Sequence, residues 1–133
     1  MSDLDHARQM LAIARRDLKA LGGMLDANIF AYEIFGFNAQ QSAEKALKAW
    51  IAALGGVYGF THDLGLLLDA LKNLGADCSS FSDLPDLTIF AVHFRYDDAG
   101  DDCGFPEREE LLETVTVLIE HVEKVISAVN PDV

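Results

Sequence analysis

Cysteine is scarce in this 133-residue chain, which has two, Cys78 and Cys103. They lie far apart in the sequence and form neither a C-x-x-C pair nor another spacing typical of metal ligands. The pattern therefore predicts neither a disulfide framework nor a zinc site. The simplest interpretation is two unpaired thiols in a reducing compartment.

Long uncharged apolar runs are also missing, so no segment is expected to cross a bilayer. The N-terminal stretch "MSDLDHARQM" begins with acidic residues and lacks the apolar segment of a signal peptide. We therefore expect a cytoplasmic protein that has no membrane partner.

Basic residues are few: 10 Lys and Arg stand against 22 Asp and Glu, for a formal net charge of −12. A protein that binds free nucleic acid neutralises phosphates with lysine and arginine, and this charge disfavours such binding over the surface as a whole. Any contact with a nucleotide or a nucleic acid must come from a local basic cluster or from a partner.

Apolar residues, by contrast, make up 50% of the chain, enough for a core in one domain over residues 1–133. They recur at helical spacing and show no convincing alternation of period two, which predicts an all-α protein. The expected architecture is an up-and-down four-helix bundle with an additional short helix. The predicted helices run from Leu4 to Leu21, from about Asp26 to Leu54, from an N-cap at Thr61 to Gly75, from Ser82 or Asp83 through Phe94, and from Pro106 to the "NP" at residues 130–131.

Two of these helices carry specific packing predictions. The last one has two apolar stripes, which begin at Leu111 and Leu112, and we expect neighbours on two sides, one of them a candidate second protomer. Gly36 lies inside the second helix and is expected to allow a slight bend. The residues of the second helix predicted to face inward are Ile34, Phe37, Leu47, Trp50 and Leu54.

Most familiar catalytic and metal-binding patterns are not found. The acidic stretch at residues 97–102 lacks the ligand order of a calcium-binding loop. No histidine has a Glu three residues before it, which excludes the Glu-x-x-His pairs of a di-iron bundle. The nucleophile elbow and the glycine-rich phosphate loops are also absent. The sequence therefore predicts no metal, no cofactor and no assigned catalytic residue.

A polar set remains that is suited to binding a phosphate. Lys45 and Lys48 share one face of the second helix, and Arg95 offers a planar guanidinium beside the phenol of Tyr96. The same residues also allow a structural interpretation in which Glu44 pairs with Lys48 one turn later. The full set is Gln40, Gln41, Glu44, Lys45, Lys48, His62, Arg95 and Tyr96.

The order of three segments, "FNAQQSAEKALKAWIAALG", "THDLGLLLDAL" and "FRYDD", resembles that of the HEPN domain from about Met10 to Val129. The resemblance implies a bundle of four long helices and a short one that pairs as a homodimer. Stand-alone prokaryotic members often accompany a minimal nucleotidyltransferase in a two-component, toxin–antitoxin-like system, so the resemblance implies such a partner and a nucleotide ligand.

The resemblance also implies roles for the matching positions. Lys45, Lys48 and Arg95 would contact phosphates, and Tyr96 and His62 would contact a base or a sugar. The ligand-binding residues implied in this way are Gln41, Lys45, Lys48, His62, Arg95 and Tyr96.

Many HEPN proteins are ribonucleases that use an arginine followed, four to six residues on, by a histidine. No arginine of this chain has a histidine at that distance. The leading hypothesis is therefore a dimeric, non-enzymatic or weakly active protein that binds a nucleotide and a nucleotidyltransferase partner. The alternatives are a divergent ribonuclease toxin with a rearranged basic site, and a structural dimerisation module whose acidic surface binds a basic partner.

Overall fold

The computed structural model describes residues 3–93 and 105–129, and within these two ranges it contains five α-helices and no strand. The all-α prediction is confirmed. Two short 3₁₀ turns, Ser79–Phe81 and Leu84–Leu87, lie between the third and fourth helices. The helices are α1 (Asp3–Gly22), α2 (Tyr32–Ala53), α3 (Leu64–Asn73), α4 (Thr88–His93) and α5 (Arg108–Val129).

The centre of the bundle is α2, which packs against α1, α3, α4 and α5. Leu47 and Trp50 of this helix are buried, as the sequence predicts. Small side chains let the neighbouring helices approach closely, and the buried hydroxyl of Ser42 donates a hydrogen bond of 2.8 Å to the carbonyl of Ala14 on α1. The buried alanines of α2 are Ala39, Ala43, Ala46, Ala49, Ala52 and Ala53.

Glycines end α2 and α3 as predicted. Gly55 has a φ of +78°, and its N–H donates to the carbonyl of Ala52 at 3.0 Å while the N–H of Gly56 donates to that of Ile51 at 3.0 Å. This is a Schellman motif, in which a left-handed residue satisfies the last carbonyls of a helix. Gly75, with a φ of +90°, does the same for α3.

The start of α2 differs from the prediction. The helix begins at Tyr32 rather than near Asp26, because the carboxylate of Asp26 accepts the N–H of Asn28 at 2.8 Å and holds the chain in a local turn. Ile34 was predicted to face inward and is 45% exposed, while its neighbour Phe35 is fully buried. Adjacent residues of a helix point in different directions, and both are apolar, so the sequence does not decide between them.

Two other residues of the second predicted helix that were expected to face inward, Phe37 and Leu54, are not fully buried. Phe37 is only half-buried, although it packs against the core. Leu54 is 36% exposed, because it follows the last residue of the helix and serves as its C-cap. The prediction that Leu54 faces inward is therefore wrong.

The N-cap of α3 is Asp63 and not Thr61. The Oδ1 atom of Asp63 accepts the N–H groups of Gly65 at 2.8 Å and Leu66 at 3.3 Å, which satisfies two of the free donors at the helix start. Thr61 instead accepts the N–H of Asp63 through its hydroxyl at 3.0 Å. The helix therefore begins at Leu64, two residues later than predicted.

The short helix and the last helix also begin later than predicted. Pro85 lies in the 3₁₀ turn Leu84–Leu87, and the α-helical part begins at Thr88. Pro106 precedes α5 by two residues, and the carbonyl of Glu107 accepts the N–H of Leu111 at 3.0 Å. Proline has no N–H and suits the entry to a helix, but the sequence fixes its distance from the first turn only within a residue or two.

Much of both apolar stripes of α5 is buried within the chain, although Val129 at the end of the helix is 48% exposed. α5 packs against both α1 and α2. The two neighbours predicted for this helix therefore do not require a second protomer. Its buried residues include Leu111, Val115, Leu118, Ile119, Val122 and Ile126.

Cys78 is a buried free thiol, and burial raises its pKa. Cys103 lies outside the described residues. No helix in the described part of the chain combines the length and the hydrophobicity needed to cross a membrane.

Candidate functional site

Glu44 is the centre of a buried polar network on α2, with a relative exposure of 1%. Its Oε1 accepts hydrogen bonds from Gln40 Nε2 at 3.0 Å and from His62 Nδ1 at 2.9 Å. Its Oε2 accepts from Lys48 Nζ at 2.9 Å and from Lys45 Nζ at 3.3 Å. With Gln41, which donates to Gln40 Oε1 at 2.7 Å, these residues are called the Glu44 cluster below.

The spacing of residues on α2 and the path of the loop before α3 explain how the cluster forms. Gln40, Glu44 and Lys48 are four residues apart and therefore lie one above the other on one face of α2. His62 reaches the same face from the loop that leads into α3, and its backbone carbonyl accepts a hydrogen bond from Gln40 Nε2 at 3.0 Å. The entry to α3 is thus fixed to α2 by both the backbone and the side chain of one residue.

The carboxyl group of Glu44 is ionised at neutral pH. Burial by itself raises its pKa, but the hydrogen bonds from Gln40, Lys48 and His62 and the charge of Lys45 outweigh burial and lower the pKa from 4.5 to about 2. A buried charge is tolerated when it is paired and hydrogen-bonded in this way.

The Glu44 carboxylate also decides the tautomer of His62. An ionised carboxylate only accepts hydrogen bonds, so the proton of a neutral imidazole lies on Nδ1. The other nitrogen, Nε2, is then a hydrogen-bond acceptor. Because the side chain is 60% exposed, this acceptor is within reach of a ligand.

The two lysines leave an excess of positive charge beside Glu44. Lys45 is half-buried, and its ammonium donates to Gln41 Oε1 at 3.1 Å as well as to Glu44. An ammonium has three donors, so the contacts of the described residues leave one donor of Lys45 for a ligand. Lys48 is buried deeper, with its Nζ 5.3 Å from the ring centroid of Tyr58. Two ammonium groups thus meet one carboxylate.

α1 borders the cluster through Asp17 and Arg16. Burial raises the pKa of Asp17, and the charges of Lys45 and Arg16 offset part of that effect. Asp17 is therefore close enough to Lys45 and Arg16 to interact with their charges.

Tyr58 and His6 close the side of the cluster next to Lys48. The Tyr58 hydroxyl is hydrogen-bonded to His6 Nε2, and the two rings are stacked with centroids 5.9 Å apart. Burial and the charge of Glu44 raise the pKa of Tyr58, so its phenol stays protonated. Sequence reasoning missed this pair, since an aromatic residue in the loop "VYGF" has no helical spacing that relates it to α1.

The family model of the HEPN domain matches residues 7–131, which include nearly all of α1 and the whole of the other helices. The chain belongs to the HEPN family. The resemblance seen from Met10 to Val129 is thereby confirmed. No curated protein and no solved structure matches the chain.

The HEPN structure brings together four of the six predicted ligand-binding residues. Gln41, Lys45, Lys48 and His62 all belong to the Glu44 cluster. The other two, Arg95 and Tyr96, lie outside the described residues, as does the acidic stretch at residues 97–102. The i,i+4 pair of Glu44 and Lys48, which is the structural interpretation of the sequence, is also present.

A cavity of about 660 Å³ lies elsewhere in this HEPN domain, between the 3₁₀ turn Leu84–Leu87 and α5. Three carboxyl side chains, Asp83, Asp86 and Glu110, line it together with Leu111. Its described lining has no lysine or arginine, so this cavity is a poor site for a phosphate. The Glu44 cluster is the better candidate on charge.

Among the described residues of the HEPN domain, no group of three or more His, Cys, Asp or Glu side chains could hold a metal ion. The Glu44 carboxylate itself is already surrounded by hydrogen-bond donors. The carboxylate therefore holds the ammonium groups of Lys45 and Lys48 and the imidazole of His62 in place.

Proposed function

We propose that this HEPN protein binds a nucleotide at the Glu44 cluster and acts with a nucleotidyltransferase partner in a two-component, toxin–antitoxin-like system. The observation that carries the binding proposal is the convergence of Lys45, Lys48 and His62 on the buried carboxylate of Glu44. It concentrates positive charge at one place on a protein with a net charge of −12.

The arrangement suits the successive parts of a nucleotide. The remaining donor of Lys45, backed by the charge of Lys48, favours a phosphate oxygen, because a charged donor and a charged acceptor form the stronger hydrogen bonds. The acceptor Nε2 of His62 suits a hydroxyl of the sugar. Glu44 holds all three side chains in place before the ligand arrives, which reduces the ordering cost of binding.

The acidic surface favours a small ligand over a long polyanion. Each additional phosphate of a nucleic acid strand would lie against a surface with many more carboxylates than cations. A mononucleotide places few charges on the cluster and none on the rest of the surface. The homodimer and the nucleotidyltransferase partner are further parts of the proposal, and the support for them is membership of the HEPN family.

Binding is tested by calorimetric titration with ADP, ATP and GTP. The parent protein is expected to bind at least one of them, and replacing Lys45 with alanine should weaken binding roughly tenfold or more, since a charge-assisted hydrogen bond is lost. The matched control is Lys72→Ala, which removes an exposed lysine from the last turn of α3. A parent protein that binds no nucleotide at millimolar concentration contradicts the proposal.

A second candidate function, a divergent ribonuclease toxin, is favoured by the same Glu44–His62 contact. A carboxylate that fixes the Nδ1 proton leaves Nε2 free to take the proton of a ribose 2′-hydroxyl, which is the role of a general base. Lys45 lies beside it to stabilise the phosphate charge that develops.

The ribonuclease hypothesis is tested by incubating the purified protein with RNA and analysing the ends of the products. Cleavage that leaves 2′,3′-cyclic phosphates and is lost in His62→Gln supports it, with His121→Gln on α5 as the matched control. Equal cleavage by the parent and His62→Gln rejects His62 as the base. If neither nucleotide binding nor cleavage is measured, the structural dimerisation module is the hypothesis that remains.

A further inference from the structure

Phe60 lies in the loop between α2 and α3 and is fully exposed, with a relative exposure of 107%. Ten large apolar residues of the described chain are exposed, and Phe60 is the one among them that has an aromatic ring. Single exposed aliphatic residues are common on protein surfaces and need no explanation. An exposed ring beside a polar site has a chemistry of its own, because its π-face can stack on a flat ligand.

The loop that carries Phe60 is fixed on both sides of it. On one side Tyr58 is hydrogen-bonded to His6 and packs near the ammonium of Lys48. On the other, His62 is held by the Glu44 cluster. Phe60 is two residues from each of these anchors, so it is at most about 7 Å along the chain from either.

The order of side chains then follows the order of groups in a nucleotide. Lys45 offers a donor for the phosphate, His62 offers an acceptor for a sugar hydroxyl, and Phe60 lies two residues before His62 in the chain. A base on a sugar held by His62 would lie near the loop that carries Phe60, because Phe60 is at most about 7 Å along the chain from His62.

We propose that Phe60 is a stacking platform for the base of the nucleotide bound at the Glu44 cluster. This inference rests on the proposed nucleotide-binding function and adds the residue that would contact the base. Because every base has a π-face, the platform should favour ligands that carry a base over ligands that lack one. It should discriminate little between different bases. Because the residues on both sides of Phe60 are already anchored, stacking would order the ring without having to order the loop as well.

The test compares AMP with ribose 5-phosphate, which differs from it by the base alone. The parent is expected to bind AMP more tightly, and Phe60→Ala should weaken AMP binding roughly tenfold while leaving ribose 5-phosphate unchanged. The matched control is Val57→Ala, which removes another exposed apolar side chain of the same loop, 90% exposed, and should bind both ligands as the parent does.

A second variant, Phe60→Trp, keeps a ring and adds a reporter. It should bind AMP at least as well as the parent, and its fluorescence should be quenched by AMP and not by ribose 5-phosphate. Trp50, the one tryptophan of the chain, is buried in the core, so the parent supplies the reference emission.

The outcomes separate this inference from the function on which it rests. If the parent binds AMP and ribose 5-phosphate equally tightly, or if Phe60→Ala weakens both equally or neither, the stacking role is overturned and the phosphate site stands. If the parent binds no nucleotide, the proposed function fails and the inference fails with it. If Phe60→Ala binds AMP more weakly but ribose 5-phosphate as the parent does, and AMP quenches the fluorescence of Phe60→Trp, the stacking role and the nucleotide site are both supported.

Discussion

His62 Nδ1 lies 2.9 Å from Glu44 Oε1, although the two residues are 18 positions apart in the sequence. The contact joins an exposed imidazole to a fully buried carboxylate. It converts a row of polar residues on one helix into a site shared by α2 and the entry to α3. The stability of the domain and the proposed chemistry therefore depend on the same carboxylate.

Replacing Glu44 with glutamine should destabilise the protein at neutral pH by roughly 3 kcal/mol, the value that corresponds to a pKa lowered from 4.5 to about 2. The folded state binds fewer protons than the unfolded state between these two pKa values. The stabilisation is therefore present above about pH 4.5 and is lost as the pH falls toward 2.

The measurement is the free energy of unfolding in urea at several pH values between 7 and 2. The difference between the parent and Glu44→Gln should narrow steadily below about pH 4.5. Glu113→Gln, an exposed glutamate of α5, is the matched control and should differ little from the parent. If the difference in unfolding free energy between the parent and Glu44→Gln stays constant from pH 7 to pH 2, the ionised carboxylate is not the source of that difference.

The N-cap of α3 predicts unequal effects for two neighbouring substitutions. Asp63→Ala removes the acceptor for two N–H groups and should cost about 1 kcal/mol of unfolding free energy. Thr61→Ala removes one exposed contact in the loop and should cost less. Chemical denaturation of the two variants checks the order, and a larger loss for Thr61→Ala would contradict this assignment of the cap.

Gly36 leaves room for the ring of Phe90. A Cβ atom at position 36 would lie 2.7 Å from Phe90 Cε2, closer than packed atoms tolerate. Gly36→Ala should therefore destabilise the protein by about 1 to 3 kcal/mol, although alanine is the better helix former.

Two further variants test this explanation. Gly22→Ala at the end of α1 meets no atom within 4 Å and should leave stability unchanged or slightly increased. Combining Gly36→Ala with Phe90→Leu should cost less than the sum of the two single changes, because the smaller side chain relieves the clash. If the stability losses of the two single variants, measured by thermal or urea unfolding, simply add in the double variant, a clash with Phe90 is not the cause of the Gly36→Ala effect.

The ion pair between Arg15 on α1 and Glu123 on α5 has a short distance of 2.7 Å, but both side chains are nearly half exposed. Solvent and salt screen such a pair, so a double-mutant cycle with Arg15→Ala and Glu123→Ala should give a coupling below about 1 kcal/mol. A coupling of several kcal/mol, measured by urea unfolding at 0.15 M salt, would contradict this expectation.

Much of the site was predictable because it lies on one helix. The i,i+4 spacing of Gln40, Glu44 and Lys48 places them on one face in any helix, and the sequence therefore indicates a polar cluster there. The spacing does not indicate that this face is covered, which is what makes Glu44 a buried carboxylate rather than a solvated one. Tyr58 and His6 were missed because their pairing connects a loop to another helix.

The sequence by itself determined the all-α class, the burial of Leu47 and Trp50, and the glycine ends of α2 and α3. These follow from local chemistry: apolar spacing, and the tolerance of glycine for a left-handed conformation. The tertiary structure alone decided that Phe35 and not Ile34 faces the core, and that His62 meets Glu44. Helical spacing fixes which residues share a face, whereas burial and long-range contacts depend on which other element packs against that face.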